Sequence, residues 1–141
     1  MSNCLTSAAR MTGNLRLLTG AFAEHLYRQR FSALPSLAPA APLAALTDPD
    51  DAPFIATAAF ANCLIDSSPG FVDALIRSTV GSDRERDAYR ALAGRYGDCL
   101  HSGDRLVMTR VALRTAMADQ LYRRARAGAV VSAVQAIGET R

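Results

Sequence analysis

Residues 98–123, DCLHSGDRLVMTRVALRTAMADQLYR, match residues 3–28, NCLTSAARMTGNLRLLTGAFAEHLYR, without a gap. The two segments are identical at ten of their 26 positions, including Cys4 with Cys99 and the closing Leu-Tyr-Arg of each segment. Similarity at a fixed separation within one chain is the sequence signature of a duplicated structural unit. The chain is therefore predicted to contain one helical segment twice.

Both copies have the side-chain spacing of an amphipathic helix. Apolar residues recur at intervals of three and four residues: Leu18, Ala21, Phe22 and Leu26 in the first copy, and Leu113, Ala116, Met117 and Leu121 in the second. Asn14 and Thr109 precede these stripes at the same repeat position, and both residue types are good helix N-caps. The spacing predicts two matching helices, each with one buried face.

The sequence between the copies predicts a linker and three further helices. Four prolines, at positions 35, 39, 42 and 49, interrupt residues 31–52 and favour an extended, partly packed connector. Helices are predicted near 54–66, 69–78 and 83–98, followed by the second copy's helix at 109–127. Pro69 suits a first helical position, and Ser82 followed by Glu85 has the spacing of a capping box.

These elements predict an all-α fold, a compact bundle of about five helices within one domain, as 141 residues allow. Its parts are a half-repeat helix at 1–30, the linker at 31–52, a complete helical unit at 53–128 and a tail at 129–141. The first copy comprises only the part of the unit that follows its cysteine. The apolar start of the tail either extends the last helix past Gly128 or frays. No stretch has the length and hydropathy of a transmembrane segment, and the first 16 residues lack the pattern of a signal peptide.

The composition excludes several classes of site. All 16 basic residues are arginine, and the net charge of +3 is too small to mark a nucleic-acid binder. The chain has no glycine-rich phosphate loop and no Gly-x-Ser-x-Gly motif. Cys99 and His101 form a close pair that lacks the second half of a zinc site. We therefore predict no catalytic, cofactor-binding or metal-binding residues.

The three cysteines, Cys4, Cys63 and Cys99, allow two interpretations. They permit three different single bridges, each leaving one thiol over, and three buried thiols are equally compatible with the sequence. The two states differ in compartment, since a bridge requires an oxidising environment such as the periplasm or the cell exterior. Three free thiols would indicate the cytoplasm.

The motifs of the second copy resemble those of one group of proteins. The runs Asp98-Cys99-Leu100, Leu113-Arg114 and Ala118-Asp119-Gln120-Leu121-Tyr122-Arg123 are similar to a pattern in small uncharacterised helical proteins of sphingomonad-type alphaproteobacteria. The resemblance covers residues 53–126 and, as a half-unit, 3–28, and it carries no assigned activity. Many of those chains carry secretion signals, and they have two cysteines about 35 residues apart. The resemblance thus implies a disulfide between Cys63 and Cys99.

The repeat, the half-unit and the lack of a catalytic constellation predict a non-catalytic helical module that binds protein, including itself as a homodimer. Tyrosine and arginine are over-represented at binding hot spots, so an exposed Tyr-Arg corner would be the interaction surface. Its candidate residues are Tyr27, Arg28, Tyr122, Arg123, Arg124 and Arg126. Two alternatives remain: arginine-mediated binding of nucleic acid or another anion, and a thiol enzyme or redox protein using Cys99. Nucleic acid is the less favoured partner, because neither a helix-turn-helix glycine nor stacking aromatics accompany the arginines.

Overall fold

The computed structural model describes residues 15–43, 52–105 and 107–138. The five α-helices are α1 Leu15–Arg30, α2 Ala52–Ser67, α3 Pro69–Arg77, α4 Asp83–Ala93 and α5 Arg110–Gly138, with a 3-10 turn at Tyr96–Cys99 between α4 and α5. No strand occurs within those three ranges. The prediction of an all-α bundle of about five helices is confirmed. Cys4 and Asn14 lie outside the described residues, as does the first part of the 3–28 segment.

Local sequence signals set the ends of α3 and α4. The α3 helix begins at Pro69, as predicted, because proline has no N–H to leave unpaired in the first turn. The Ser82 hydroxyl accepts the N–H of Glu85, and the Glu85 carboxylate accepts the N–H of Gly81 at 2.6 Å. The α4 helix ends at Ala93, earlier than predicted, and the chain then tightens into the 3-10 turn that carries Cys99.

The α1, α2 and α5 helices run in the same general direction. Along α2, Asn62 donates to Gln120 and Asp66 accepts from Arg124, so contacts advance together on α2 and α5. Along α1, Gly20 faces Thr115, and the Arg30 guanidinium lies 6.0 Å from the ring of Tyr122. The α3 and α4 helices therefore bring the chain back from the end of α2 to the start of α5.

The core lies where α5 packs against α1, α2 and α3, and α4 packs on α3. Its fully buried side chains include Leu64, Ile65, Val72, Leu75, Ile76, Leu92, Met117 and Leu121. All four residues of the apolar stripe predicted in the second copy are buried, which confirms that prediction. None of the helices in the described part of the chain is both long and apolar enough to span a membrane.

The corresponding stripe of the first copy is not the buried face of α1, and this prediction was wrong for all but Leu26, which is partly buried against the core. Leu18 is 45% exposed and Phe22 is 60% exposed, whereas Gly20, Ala23 and Tyr27 are buried. The α1 helix approaches α5 through small residues, since a Cβ added at Gly20 would lie 2.7 Å from the carbonyl oxygen of Thr115. This close approach turns Leu18 and Phe22 away from the bundle.

The structure also shows where the linker packs and how far the last helix extends. Ala38 donates its N–H to the carbonyl of Arg124 at 3.1 Å, and a Cβ at Gly128 would lie 3.0 Å from the carbonyl carbon of Ser36. The described part of the linker, residues 31–43, thus has neither helix nor strand and packs on α5. Of the two alternatives for the tail, the structure has the helical one, because α5 continues to Gly138.

Candidate functional site

A buried arginine joins α1 to the rest of the bundle. The Arg114 side chain is 6% exposed, and its Nε and Nη2 donate to the two carboxylate oxygens of Glu24 at 2.9 and 2.7 Å. Its Nη1 donates to Glu85 of α4 at 2.7 Å, and Nη2 also donates to the carbonyl of Ser78 at 2.8 Å. Burial alone would lower the pKa of Arg114, but the hydrogen bonds and charges of both carboxylates raise it overall.

A second arginine completes this cluster. Arg28 pairs with Glu24 at 2.7 Å and donates to the carbonyls of Ile76 and Ser78, both at 2.7 Å. We call Glu24, Arg28, Glu85 and Arg114 the arginine clasp. Its two positive and two negative charges balance, so each buried charge has an opposite partner and the cluster adds no net charge between α1 and the rest of the bundle. The clasp holds α1 in the orientation that exposes Leu18 and Phe22.

Two equivalent ion pairs occur at matching positions of the repeat. Glu24 and Arg28 pair within α1 at 2.7 Å, and Asp119 and Arg123 pair within α5 at 2.9 Å. Both pairs are spaced four residues apart on a helix surface, where such side chains are neighbours. The matching sequence positions therefore have matching local contacts, as expected if the two segments are copies of one unit.

The structure buries both tyrosines of the predicted Tyr-Arg surface. Tyr27 is fully buried, and its hydroxyl donates to Asp73 at 2.6 Å. Burial and that hydrogen bond raise the pKa of Tyr27. Tyr122 is also buried, with the guanidinium groups of Arg30 and Arg126 at 6.0 and 5.8 Å from its ring. The tyrosine rings therefore contribute to packing. The predicted interaction surface required an exposed tyrosine, and neither ring is exposed.

The four arginines of that predicted surface divide into two kinds. Arg124 is buried, donates to the carbonyl of Ala38 at 2.8 Å and pairs with Asp66 of α2. Arg28, Arg123 and Arg126 are exposed on the surface. Arg28 belongs to the clasp and Arg123 pairs with Asp119, so each already has an acidic partner within its own helix.

An uncharged surface lies on the side of α1 that faces away from α5. We call it the outward face of α1, and all its residues are exposed: Leu18, Ala21, Phe22, His25 and Gln29. The residues at the same repeat positions in α5 are all buried: Leu113, Ala116, Met117, Gln120 and Arg124. One sequence pattern thus has opposite environments in the two copies. Sequence periodicity identified the apolar part of this stripe but could not show that it is left uncovered.

The last residues of α5 form another exposed apolar surface. Residues 129–138 continue the helix and are all exposed, and none of them is charged. Four apolar side chains lie on this segment: Val130, Val131, Val134 and Ile137. The described residues therefore offer two uncharged apolar helix surfaces, one on α1 and one on the part of α5 that follows the second copy.

The structure joins Cys63 of α2 to Cys99 of the 3-10 turn in a disulfide, the pair that the resemblance implied. The bond ties α2 to the segment that leads into α5. It also leaves Cys99 without a thiolate to act as a nucleophile, and the neighbouring His101 side chain is almost fully exposed. Of the three cysteines in the sequence, this bridge leaves over Cys4, which lies outside the described residues.

Two open cavities lie near the start of α5. The larger, about 680 Å³, lies beside the first turns of α1, α2 and α5 and has mostly apolar walls, including Leu17, Phe54 and Ala116. The smaller, about 410 Å³, is lined by three arginines and two tyrosines among others: Arg86, Arg90, Arg110, Tyr89 and Tyr96. Across residues 15–43, 52–105 and 107–138, no three His, Cys, Asp or Glu side chains come together in a way that could hold a metal ion.

Comparison of the chain with protein-family models, with curated proteins and with solved structures gives no match.

Proposed function

We propose that this protein is a non-catalytic helical module that binds protein surfaces, and in the first place a second copy of itself. The observation that carries the proposal is the outward face of α1. Phe22 is 60% exposed on this face, whereas Met117, at the same repeat position in α5, is fully buried. Leu18 and Phe22 are adjoining large apolar side chains that the described residues leave exposed, and such adjoining apolar surface is typical of an interaction site.

The energetics of burial support association through such a surface. Full burial of a leucine or phenylalanine side chain is worth about 1.5–3 kcal/mol relative to exposure. Leu18 and Phe22 lie one helical turn apart, so a single partner helix can cover both. The face has no formal charge, and association would therefore not require the removal of water from ionised groups.

The mass of the protein in solution tests this function. Sedimentation equilibrium over a wide range of concentrations is expected to show a transition from 15.0 kDa to twice that mass. Added salt is expected to leave the transition almost unchanged, because the face carries no charge for salt to screen. A single 15.0 kDa species at every concentration would contradict self-association.

A second candidate function is the binding of an anion, which the smaller cavity favours. Among the described residues, three arginines line it and no carboxylate does, although Asp83 and Asp87 pair with Arg86 and Arg90 from outside. Binding of a fluorescent single-stranded oligonucleotide tests this function. The affinity is expected to fall steeply with added salt and to weaken in Arg110→Gln, but not in Arg126→Gln. Binding that is insensitive to salt, or equally weak in both variants, would exclude it.

The disulfide supports a proposal about compartment. A bridge between Cys63 and Cys99 persists in an oxidising environment, which supports the proposal that the protein acts in the periplasm or outside the cell. Mass spectrometry of the protein alkylated in its native compartment tests this placement. Three alkylated cysteines before reduction would indicate the cytoplasm instead.

A further inference from the structure

The outward face of α1 has the residue spacing of a helix–helix seam. Leu18, Phe22, His25 and Gln29 follow one another at intervals of four, three and four residues. This is the heptad spacing through which two helices pack side by side. The opposite side of α1 is already occupied by α5, so this seam is available for a further helix.

The second copy shows what kind of surface covers such a seam. The counterparts of Phe22, His25 and Gln29 are Met117, Gln120 and Arg124, which lie in the interior of the fold. Gln120 accepts a hydrogen bond from Asn62 at 2.9 Å, and Arg124 pairs with Asp66. Both partners belong to α2, so in this fold another helix covers this part of the seam, and Arg124 also donates to the carbonyl of Ala38 in the linker.

The charge of the chain favours α1 of a second copy as the helix that covers this seam. The chain has a net charge of +3, and its exposed arginines would repel one another in many contacts between two copies. The outward face of α1 has no formal charge, so a two-fold axis can bring it onto itself without opposing like charges. Leu18 and Phe22 of one copy then contact the same side chains of the other.

We propose that two copies of the chain form a dimer in which the outward face of α1 packs on its own copy about a two-fold axis. This inference rests on the proposed self-association and assigns it to one surface. A contact built on one 16-residue helix lies at the small end of interface sizes, below about 1,200 Å². The dimer is therefore reversible and depends on protein concentration.

A pair of matched variants of the full chain tests the surface. Phe22→Glu places a charge in the centre of the seam, whereas Val80→Glu makes the same change at a residue that is 71% exposed between α3 and α4. The dissociation constant measured by sedimentation equilibrium is expected to rise at least about tenfold in Phe22→Glu. It is expected to stay unchanged in Val80→Glu. Circular dichroism and thermal unfolding show that both variants remain folded.

Cross-linking gives a second measurement that leaves Phe22 in place. Cys4→Ser/His25→Cys and Cys4→Ser/Val80→Cys each carry one new cysteine besides the bridged pair. A short bis-maleimide reagent is expected to link two copies of the first variant and not of the second. A dimer that persists in Phe22→Glu, together with equal cross-linking of both cysteine variants, would overturn this surface while self-association stands. A monomeric wild-type protein would overturn both.

Discussion

Gly20 of α1 lies directly against Thr115 of α5, and no side chain fits between the two helices at this point. A Cβ on Gly20 would come within 2.7 Å of both the Cα and the carbonyl oxygen of Thr115. The two residues are 95 positions apart, which is the offset between the matching segments. The matching helices therefore meet at the same position of each. This contact explains why α1 turns Leu18 and Phe22 outward.

Gly20→Ala is expected to lower the free energy of unfolding by about 1–3 kcal/mol, because the added methyl group forces α1 away from α5. Helix propensity alone predicts the opposite sign, a gain of about 0.5–1 kcal/mol. Urea unfolding monitored by circular dichroism distinguishes the two. Gly70→Ala is the matched control, since nothing lies within 4 Å of a Cβ added there. A stabilised Gly20→Ala variant would contradict the close approach.

Arg114→Met is expected to destabilise the protein by about 3–5 kcal/mol, because Glu24 and Glu85 would lose the charge that compensates for their burial. The control is Arg123→Met, which removes an arginine that is 65% exposed and pairs with Asp119. This change is expected to cost less than about 1 kcal/mol. Denaturant unfolding of both variants tests the clasp, and equal losses would show that burial of Arg114 has no special role.

Reduction of the Cys63–Cys99 bridge is expected to lower the free energy of unfolding by about 4 kcal/mol, from the chain entropy of a loop of 36 residues. The variant Cys63→Ser/Cys99→Ser is expected to show a similar loss without reductant. Cys4→Ser serves as the control, because it keeps the bridge and leaves the response to reductant unchanged. Alkylation before reduction should label one cysteine per chain, and two labelled cysteines or more would contradict the bridge.

Stability is expected to fall at alkaline pH. Burial, and to a smaller extent the Glu85 carboxylate, raise the pKa of Tyr89 from 10.0 to about 12. The unfolded chain thus loses this proton at a lower pH than the folded chain does. The contribution of Tyr89 to stability is complete below pH 10.0 and is lost as the pH rises towards about 12.

Urea unfolding at about pH 8 and about pH 11 measures this dependence. The decrease in the free energy of unfolding between these two pH values is expected to be smaller in Tyr89→Phe than in the wild type, because phenylalanine has no proton to lose. Tyr89→Phe also removes the hydrogen bond to the carbonyl of Arg110, so its stability is compared with its own value at the lower pH. Equal slopes in the two proteins would contradict a raised Tyr89 pKa.

Local sequence signals were sufficient to place the starts of α3 and α4 but not every helix end. Pro69 marks the start of α3, and Ser82 with Glu85 marks the start of α4, because these residues act within one helical turn. The apolar spacing of the second copy also identified the buried stripe of α5. The end of α5 at Gly138 was left open, since no capping residue or proline near Gly128 fixes where the helix stops.

Two features depend on contacts between distant parts of the chain, which no local sequence pattern contains: the side of α1 that is buried, and the arginine clasp. Periodicity places Leu18 and Phe22 on one side of a helix but does not show which side a neighbouring helix covers. That choice depends on Gly20 and on the pairing of Glu24 with Arg114, 90 residues away. The sequence does contain one signal for the clasp. Arg114 directly follows Leu113 of the apolar stripe, and a charged residue beside a buried stripe needs a buried partner.

The separation between Glu24 and Arg114 has a consequence for the order in which the chain folds. Loop closure costs more entropy as the enclosed chain lengthens, and contacts distant in sequence slow folding. The α3 and α4 helices contact each other, and the contacts of α2 with α5 span 58 residues, against 90 between Glu24 and Arg114. The disulfide shortens the path from α2 to α5 further. The α1 helix is therefore expected to dock last. We expect α1 also to be the segment that opens first in the native state, so that its amides exchange with solvent before those of α2.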